Sequence, residues 1–369
     1  MRPDSPLPLR TRGLSPGLLA AAEAYASHLV KARISHPNGA AVISLKTDSP
    51  HLRKFFTQNW AQADLSEPVD AEIIALRGDS AHYGLDSSLD GVRSYYRNQQ
   101  KILFLAHEAY ANLKITVRGL CSQLAVPDVL WMHGCSLAID MGAGDEGLML
   151  LGRSGGGKTT ITATLRQMLG KNKVRVINDD WGAVSMSDGR CMYTGENALH
   201  MKYISVNAHD PTICPSPSSF PSEHFSADPT DPLPRMLIKR SRVFGPEGIA
   251  DSCQLAAIVL LRRAAGIRPG IGSLDNDAVR TIEEGEYSEY YDSTEQFFNG
   301  SLFTAEARDL ARHRSLYGDL LNLIKVVELG NVELPETVAG KLLRYMVSTK
   351  QGTTVRQASS RESLMKSDI

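Results

Sequence analysis

The sequence predicts a mixed α/β fold, and three observations support that prediction. Short apolar runs of strand length alternate with longer segments whose apolar residues recur at helical spacing. A glycine-rich turn separates one of these strands from the helix that follows it. A stretch rich in proline and serine interrupts the second half of the chain, as a long loop does. With 369 residues, the chain has room for two domains.

The composition is that of an ordinary globular protein. Hydrophobic residues make up 42% and charged residues 22%, and a formal net charge of −1 creates no field that would attract nucleic acid or a membrane surface. No apolar run is long enough to span a bilayer, and the N-terminus lacks the apolar core of a signal peptide. The five cysteines are widely spaced and form no metal-binding pattern, which is typical of reduced thiols. We therefore expect a cytoplasmic protein with no nucleic-acid or membrane partner.

The first third of the chain is expected to form a smaller N-terminal α/β domain over residues 15–126. Residues 1–14 are rich in proline and arginine and are expected to be flexible. Ser15 and Pro16 supply a cap and a first-turn proline for a helix. The buried face of that helix is expected at Leu18, Leu19, Ala22, Ala26, Leu29 and Val30. Strands are expected at 40–45 and 71–76, an amphipathic segment at 52–60, and a mainly helical segment at 101–124.

A larger second domain is expected over residues 127–347. Its first strand, 129–140, precedes a glycine-rich turn, a second strand, a glycine loop and a helix at Lys158–Leu169. Further along, we expect strands at 173–178 and 256–261, a hairpin turn at Asp188-Gly189, and helices at 304–325 and 336–346. Residues 211–234 hold seven of the 18 prolines and are expected to form a flexible loop. Residues 348–369 are polar and are expected to form a disordered tail.

Residues 152–159 fit the pattern G-x-x-x-x-G-K-[ST] of loops that bind nucleotide phosphates, and we call them the phosphate loop. Glycines let backbone N–H groups turn inward around an anion, and the next helix adds the positive end of its dipole. Lys158 supplies a charge for the outer phosphates, and the Thr159 hydroxyl can bind Mg²⁺. The candidate nucleotide-binding residues are Gly152, Arg153, Ser154, Gly155, Gly156, Gly157, Lys158, Thr159 and Thr160.

Two adjacent carboxylates, Asp179 and Asp180, end a predicted strand about 20 residues after Lys158. One helix and one returning strand would bring them beside the phosphate loop. Neighbouring side chains at a strand end point in different directions, so one carboxylate can bind a metal ion while the other faces an acceptor. A solvated Asp-Asp turn is the alternative interpretation.

His133 lies in the predicted strand before the loop, between Met132 and Gly134. A single histidine flanked by apolar residues is more often packed in a core than used as a ligand. Its spacing alone leaves both interpretations open.

Together, His133-Gly134, the phosphate loop and Asp179-Asp180 resemble the catalytic domain of the HPr kinase/phosphorylase family. The order is also similar to that of ATP-dependent phosphoenolpyruvate carboxykinases, with their Met-His-Cys-Ser, Gly-x-Ser-Gly-x-Gly-Lys-Thr-Thr and Gly-Asp-Asp. The resemblance covers residues 128–262 and implies the P-loop fold that these two families share.

The resemblance also implies roles. Lys158 and the loop amides would hold the β- and γ-phosphates, and Thr159 and Asp179 would bind Mg²⁺. Asp180 resembles the residue that takes the acceptor's proton in HPr kinases. His133 resembles the active-site histidine of that family, or a second-metal ligand of the carboxykinases.

Three further residues match the carboxykinases less fully. Glu196 and Lys202 are separated as a glutamate and a lysine of that family are, which implies a metal ligand and a nucleotide contact. Arg235 opens the basic segment 235–242, where carboxykinases place an arginine that meets the transferred phosphoryl group. Exposed charges on a strand or loop are the alternative interpretation of all three.

The function expected from these residues is an ATP- and Mg²⁺-dependent kinase that phosphorylates a serine-like hydroxyl on a small molecule or peptide. A carboxykinase-like lyase acting on a keto acid is one alternative, and a nucleotide-responsive binding protein is another. The chain lacks the Glu-Ile-Arg-Gly segment of HPr kinases and is shorter than a carboxykinase, so the acceptor stays open. The sequence also leaves open Mn²⁺ in place of Mg²⁺, pyrophosphate as donor, a reverse phosphatase reaction and homo-oligomer formation.

Overall fold

The protein mixes helices and strands throughout the part of the chain that the computed structural model describes. The described residues are 10–13, 16–35, 42–59, 62–64, 66–77, 92–98, 101–106, 129–132, 134–142, 144–152, 156–179, 182–186, 189–193, 198–209, 212, 235–262, 270–275, 318–322, 324–330 and 333–348. The predicted mixed α/β class is confirmed at this level.

The described strands of the first third form one six-stranded sheet in the order β1-β5-β6-β4-β3-β2. Its strands are β1 (Arg10–Gly13), β2 (Lys31–Ser35), β3 (Val42–Thr47), β4 (Ala71–Arg77), β5 (Val92–Asn98) and β6 (Lys101–Ala106). Helices α1 (Pro16–Ser27) and α2 (Pro50–Asn59) join it. Ala22 and Ala26 of α1 pack on Ile74 and Leu76 of β4. The predicted strands near 40–45 and 71–76 and the first helix are therefore confirmed, and the amphipathic segment expected at 52–60 forms α2.

Two expectations for this region are wrong. Residues 101–106, expected to be helical, form β6, which pairs with β4 on one edge and β5 on the other. Pairing on both edges satisfies the backbone of this apolar run and overrides its weak helical spacing. Val30 was expected on the buried helix face, but α1 ends at Ser27 and Val30 is 66% exposed.

Nine strands of the remaining chain form a second, curled sheet. They are β7 (Val129–Met132), β8 (Gly134–Asp140), β9 (Asp145–Leu151), β10 (Val174–Asn178), β11 (Gly182–Ser185), β12 (Arg190–Met192), β15 (Ser252–Arg262), β16 (Gly270–Ser273) and β17 (Lys325–Gly330). The long strand β15 pairs near its start with β12, and further along it runs parallel to both β9 and β17. A short separate ribbon contains β13 (Ala198–Lys202) and β14 (Arg235–Lys239).

The predicted strand 129–140 is in fact two strands, because β7 pairs with β11 whereas β8 pairs with β9 and β10. The register of β7 with β11 continues as the register of β8 with β10 at the Ser136–Asn178 pair, on the other side of the gap between β7 and β8. Met132 is opposite Gly182 and Ser136 is opposite Asn178, so three residues of each chain segment separate the two ladders. The strand interruption therefore falls at the same place in both segments.

The helix predicted at Lys158–Leu169 is observed with those bounds, and we call it α3. Its Ile161 and Leu165 join the largest described core cluster, together with apolar residues of β8, β9, β15 and β17. Short helices α4 (Tyr203–His209) and α5 (Arg240–Phe244), a helical turn α6 (318–322) and a C-terminal helix α7 (335–348) follow. Val338 and Leu342 of α7 reach the same core. Packing on one sheet face thus fixes the direction of α3.

The hairpin around Gly189 and the strands near 173–178 and 256–261 are confirmed, as is the helix near 336–346. The helix expected over 304–325 is wrong at its end, because Lys325 begins β17, which is paired with β15 and β16. The loop 211–234 (apart from Thr212), the tail beyond residue 348 and residues 1–9 lie outside the described residues. The domain boundaries stay predictions. Among the described helices, none is long and apolar enough to cross a membrane.

A buried polar cluster joins the end of α3 to α4 and α5. The guanidinium of Arg166 donates a 2.6 Å hydrogen bond to the carbonyl of Phe244 and lies 3.5 Å from Nδ1 of His209. Burial lowers the pKa of His209 to about 3, and the charges of Arg166 and Lys171 act in the same direction. His209 is therefore neutral in the folded protein at physiological pH.

We expect His209 to make the protein sensitive to acid. The folded pKa is about 3 and the ordinary value is about 6.5, so the unfolded chain binds the extra proton between these values and stability falls as the pH drops below 6.5. The contribution lost between pH 7.5 and 5.5 is about 1.4 kcal/mol. Denaturant unfolding at both pH values should show a smaller loss for His209→Asn. The exposed His28 provides the control. Between pH 7.5 and 5.5, His28→Asn should lose as much unfolding free energy as the wild type does.

Candidate functional site

The phosphate loop joins β9 to α3, and glycine is required at both of its ends. Gly152 packs so closely on β15 that a Cβ atom there would lie 2.8 Å from the carbonyl oxygen of Leu261. Gly157 has a φ of 96°, the left-handed region that other residues avoid, and it caps the N-terminus of α3. Residues Arg153, Ser154 and Gly155 lie outside the described part of the loop. The described ends therefore fix where the chain leaves β9 and where α3 begins.

The ammonium group of Lys158 is buried at the base of this turn. The residue is 8% exposed, and its Nζ donates a 2.7 Å hydrogen bond to the carbonyl oxygen of Gly152. This bond joins the residue that follows β9 to the first residue of α3. A lysine held in this way has already lost most of its hydration, which strengthens its attraction for an anion that enters the loop.

The structure brings Thr159 and Asp179 together. The hydroxyl of Thr159 donates to Oδ1 of Asp179 over 3.4 Å, in a partly buried position. Thr159 is in the first turn of α3, and Asp179 follows β10, which lies beside β8. Hydroxyl and carboxylate oxygens are the hard donors that Mg²⁺ prefers. In the described part of the chain no three His, Cys, Asp or Glu side chains form a metal cluster, and magnesium bound to a nucleotide needs only one or two carboxylates.

Two residues that the sequence analysis missed complete this side of the site. Cys135 on β8 is fully buried, and its Sγ lies 3.3 Å from Oγ1 of Thr162 on α3. Burial raises the pKa of the Cys135 thiol well above its ordinary value, and the charge of Asp179 raises it further. Thr162 is one helical turn after Thr159, so its position could have been found from the helical period. No sequence signal distinguishes Cys135 from a core cysteine.

Three predicted site residues, His133, Asp180 and Glu196, lie outside the described residues. His133 is flanked in the chain by Met132 and Gly134. The nearest described residues on either side of Asp180 are Asp179 and Gly182. Their assignments stay predictions.

Lys202 and Arg235 are brought together by the ribbon. They are directly opposite each other in the antiparallel register of β13 and β14, at the end of the ribbon where residues 203–234 connect the two strands. Like charges at directly opposed positions of two strands are destabilising, and an anion bound between them would offset that repulsion. The strand register therefore places side by side two residues that the sequence analysis treated separately.

Arg240, in the same basic segment, serves the fold. It is 7% exposed and donates hydrogen bonds to the carbonyls of Ile177 and Ala250 and to the carboxylate of Asp251. Its guanidinium also stacks 3.5 Å from the ring centre of Tyr193. These contacts tie the start of α5 to the strands and occupy the guanidinium, so Arg240 is a poor candidate for contact with a phosphoryl group.

Comparison with known proteins gives a distant likeness of fold. No protein-family model matches the sequence, and no curated protein matches it. Solved structures do match, among them the HPr(Ser) kinase/phosphatase from Coxiella burnetii. The identity is 9% and the TM-score 0.32, over 62% of this chain and 96% of that chain. This is a likeness at the level of the fold, and no residue role or substrate is taken from it.

We expect Gly157→Ala to destabilise the protein. A Cβ atom in the left-handed conformation costs about 1–2 kcal/mol, so the free energy of unfolding should fall by that amount. Gly340 lies within α7, where an added Cβ meets no atom within 4 Å. Gly340→Ala should therefore stabilise the protein by about 0.5–1 kcal/mol. Denaturant unfolding of both variants tests this, and equal effects would contradict the backbone argument.

Proposed function

We propose that the protein is an ATP- and Mg²⁺-dependent phosphotransferase that transfers the γ-phosphoryl group to a hydroxyl acceptor. The observation that carries this proposal is the contact between Thr159 and Asp179 beside the buried Lys158. A structural glycine turn has no need for a buried cation on one side and a carboxylate–hydroxyl pair on the other. Anion binding explains both, because phosphates need positive charge and a magnesium ion needs hard oxygens.

In this proposal the chain supplies positioning and charge. Backbone N–H groups of the phosphate loop and the N-terminus of α3 would face the phosphates. Lys158 would contact the outer phosphates from the base of the loop, and Thr159 and Asp179 would hold Mg²⁺. When bound, that ion offsets the negative charge of the phosphates. Since Lys158 is already buried and fixed by Gly152, little reorganisation is needed at the moment of transfer.

We assign the residues that face the acceptor from their positions in the sequence. Asp180 follows Asp179 directly, and adjacent residues direct their side chains apart. We assign Asp180 the task of orienting the acceptor hydroxyl and accepting its proton. His133, at the matching interruption of the other strand pair, would be its neighbour on the acceptor side. Glu196 remains a candidate second metal ligand.

The two aspartates should respond differently to neutralisation. Asp179→Asn should abolish the tightening of ATP binding by Mg²⁺, because it removes the metal's carboxylate. Asp180→Asn should bind ATP and Mg²⁺ as the wild type does and lose transfer by a factor of about 10²–10⁴, the usual contribution of a general base. Calorimetry with and without Mg²⁺ measures the first effect. Transfer of label from γ-labelled ATP to components of a cell extract measures the second.

The control for both variants is Asp319→Asn, at an exposed position of α6, which should leave binding and transfer unchanged. Transfer at the wild-type rate by Asp180→Asn would refute its role as a base. A label found only in free phosphate would refute the kinase and favour a hydrolase or a nucleotide-dependent switch.

Lys202 and Arg235 should act as one unit on the transferred phosphoryl group. Lys202→Gln and Arg235→Gln should each lower kcat/KM, and the double variant should lose less than the sum of the two losses because both residues bind one anion. A coupling of about 0.5–3 kcal/mol is typical of residues that share a partner. Lys239→Gln, at the opposite end of the ribbon beside Ala198, is the control. Strictly additive losses would contradict a shared anion.

A further inference from the structure

Cys135 and Asp179 are neighbours in the sheet although 44 positions apart in the numbering of the chain. Ser136 of β8 and Asn178 of β10 are direct partners in the antiparallel register. The next position towards the strand interruption is Cys135 on one strand and Asp179 on the other. The ladder therefore directs a thiol to the carboxylate that we assign to the metal.

The polar contacts of Cys135 form a closed chain with α3. Its sulfur lies 3.3 Å from the hydroxyl oxygen of Thr162, which is 1% exposed, and its place beside the Ser136–Asn178 pair directs its thiol towards the carboxylate of Asp179. Asp179 in turn accepts from Thr159. Thr159 and Thr162 are one turn apart on the same face of α3. The sequence of contacts Thr162, Cys135, Asp179, Thr159 thus begins and ends on one helix face.

The direction of these hydrogen bonds follows from the chemistry of the groups. An ionised carboxylate can only accept, so the proton between Cys135 and Asp179 belongs to the thiol. The Thr162 hydroxyl then donates to the sulfur. Asp179 consequently receives one donor from β8 and one from α3, which together fix the plane of its carboxylate.

We propose that Cys135 is a positioning residue whose thiol holds the Asp179 carboxylate in the orientation that binds Mg²⁺ together with Thr159. This inference rests on the proposed function. Groups that orient a metal ligand from behind commonly change metal affinity by about 10–100-fold when they are removed. The donor is what matters here, so a serine can replace the cysteine and an apolar residue of similar size cannot.

The test compares Cys135→Val with Cys135→Ser in the full-length protein. Calorimetry gives the affinity for ATP in EDTA and the Mg²⁺ concentration that half-saturates the ATP complex. Cys135→Val should leave the metal-free ATP affinity unchanged and raise the half-saturating Mg²⁺ concentration by about 10-fold or more. Cys135→Ser should stay within about threefold of the wild type. Thermal unfolding of each variant checks that both fold.

Cys191→Val is the matched control, because Cys191 is an equally buried free thiol on β12. It should not change the Mg²⁺ dependence. An unchanged Mg²⁺ dependence in Cys135→Val would overturn this inference alone, as would a serine variant as impaired as the valine one. A wild-type protein whose ATP binding ignores Mg²⁺ would instead overturn the proposed function and this inference with it.

Discussion

The site is organised around one buried ammonium group. Lys158 is the first residue of α3, and its buried ammonium group donates a hydrogen bond to the carbonyl of Gly152, which offsets part of the cost of burying a charge. Glycine is required at both ends of the loop, because a Cβ atom at Gly152 would collide with Leu261 and Gly157 has a positive φ. The partner of the buried charge is therefore the backbone of a position that only glycine fits.

The elements on either side keep this loop in place. Strand β9 is fixed between β8 and β15, and the apolar face of α3 is fixed on the same sheet. Beside them, the pairing of β8 with β10 shifts register between Val176 and Asn178, and the ladders of β7 and β8 with β11 and β10 then stop at a matched place in both segments. Interruptions of ladders release side chains from the sheet and are common beside functional sites. Here the interruption brings Asp179 to Thr159 and sets the thiol of Cys135 behind it.

Much of the framework around α3 was predictable because its local signals agree with its packing. The helix Lys158–Leu169 has apolar residues at helical spacing, a glycine before it and a glycine after it, and it is observed with those bounds. The glycine pattern of the phosphate loop was recognisable for the same reason. Residues 101–106, and Lys325 at the end of an expected helix, were assigned wrongly because such short runs fit a helix as well as a strand, and only their partners in the sheet decide between the two.

The sequence by itself determined the loop, its lysine and threonine, and the acidic pair, because these depend on residue types at fixed short spacings along one strand, turn and helix. Only the tertiary structure decided which distant residues meet that loop. The contact of Cys135 with Thr162 depends on how α3 packs on β8, and the pairing of Lys202 with Arg235 depends on strand register, which is set by cooperative hydrogen bonding between strands. Register has no local signature in the chain, so these neighbours cannot be read from spacing.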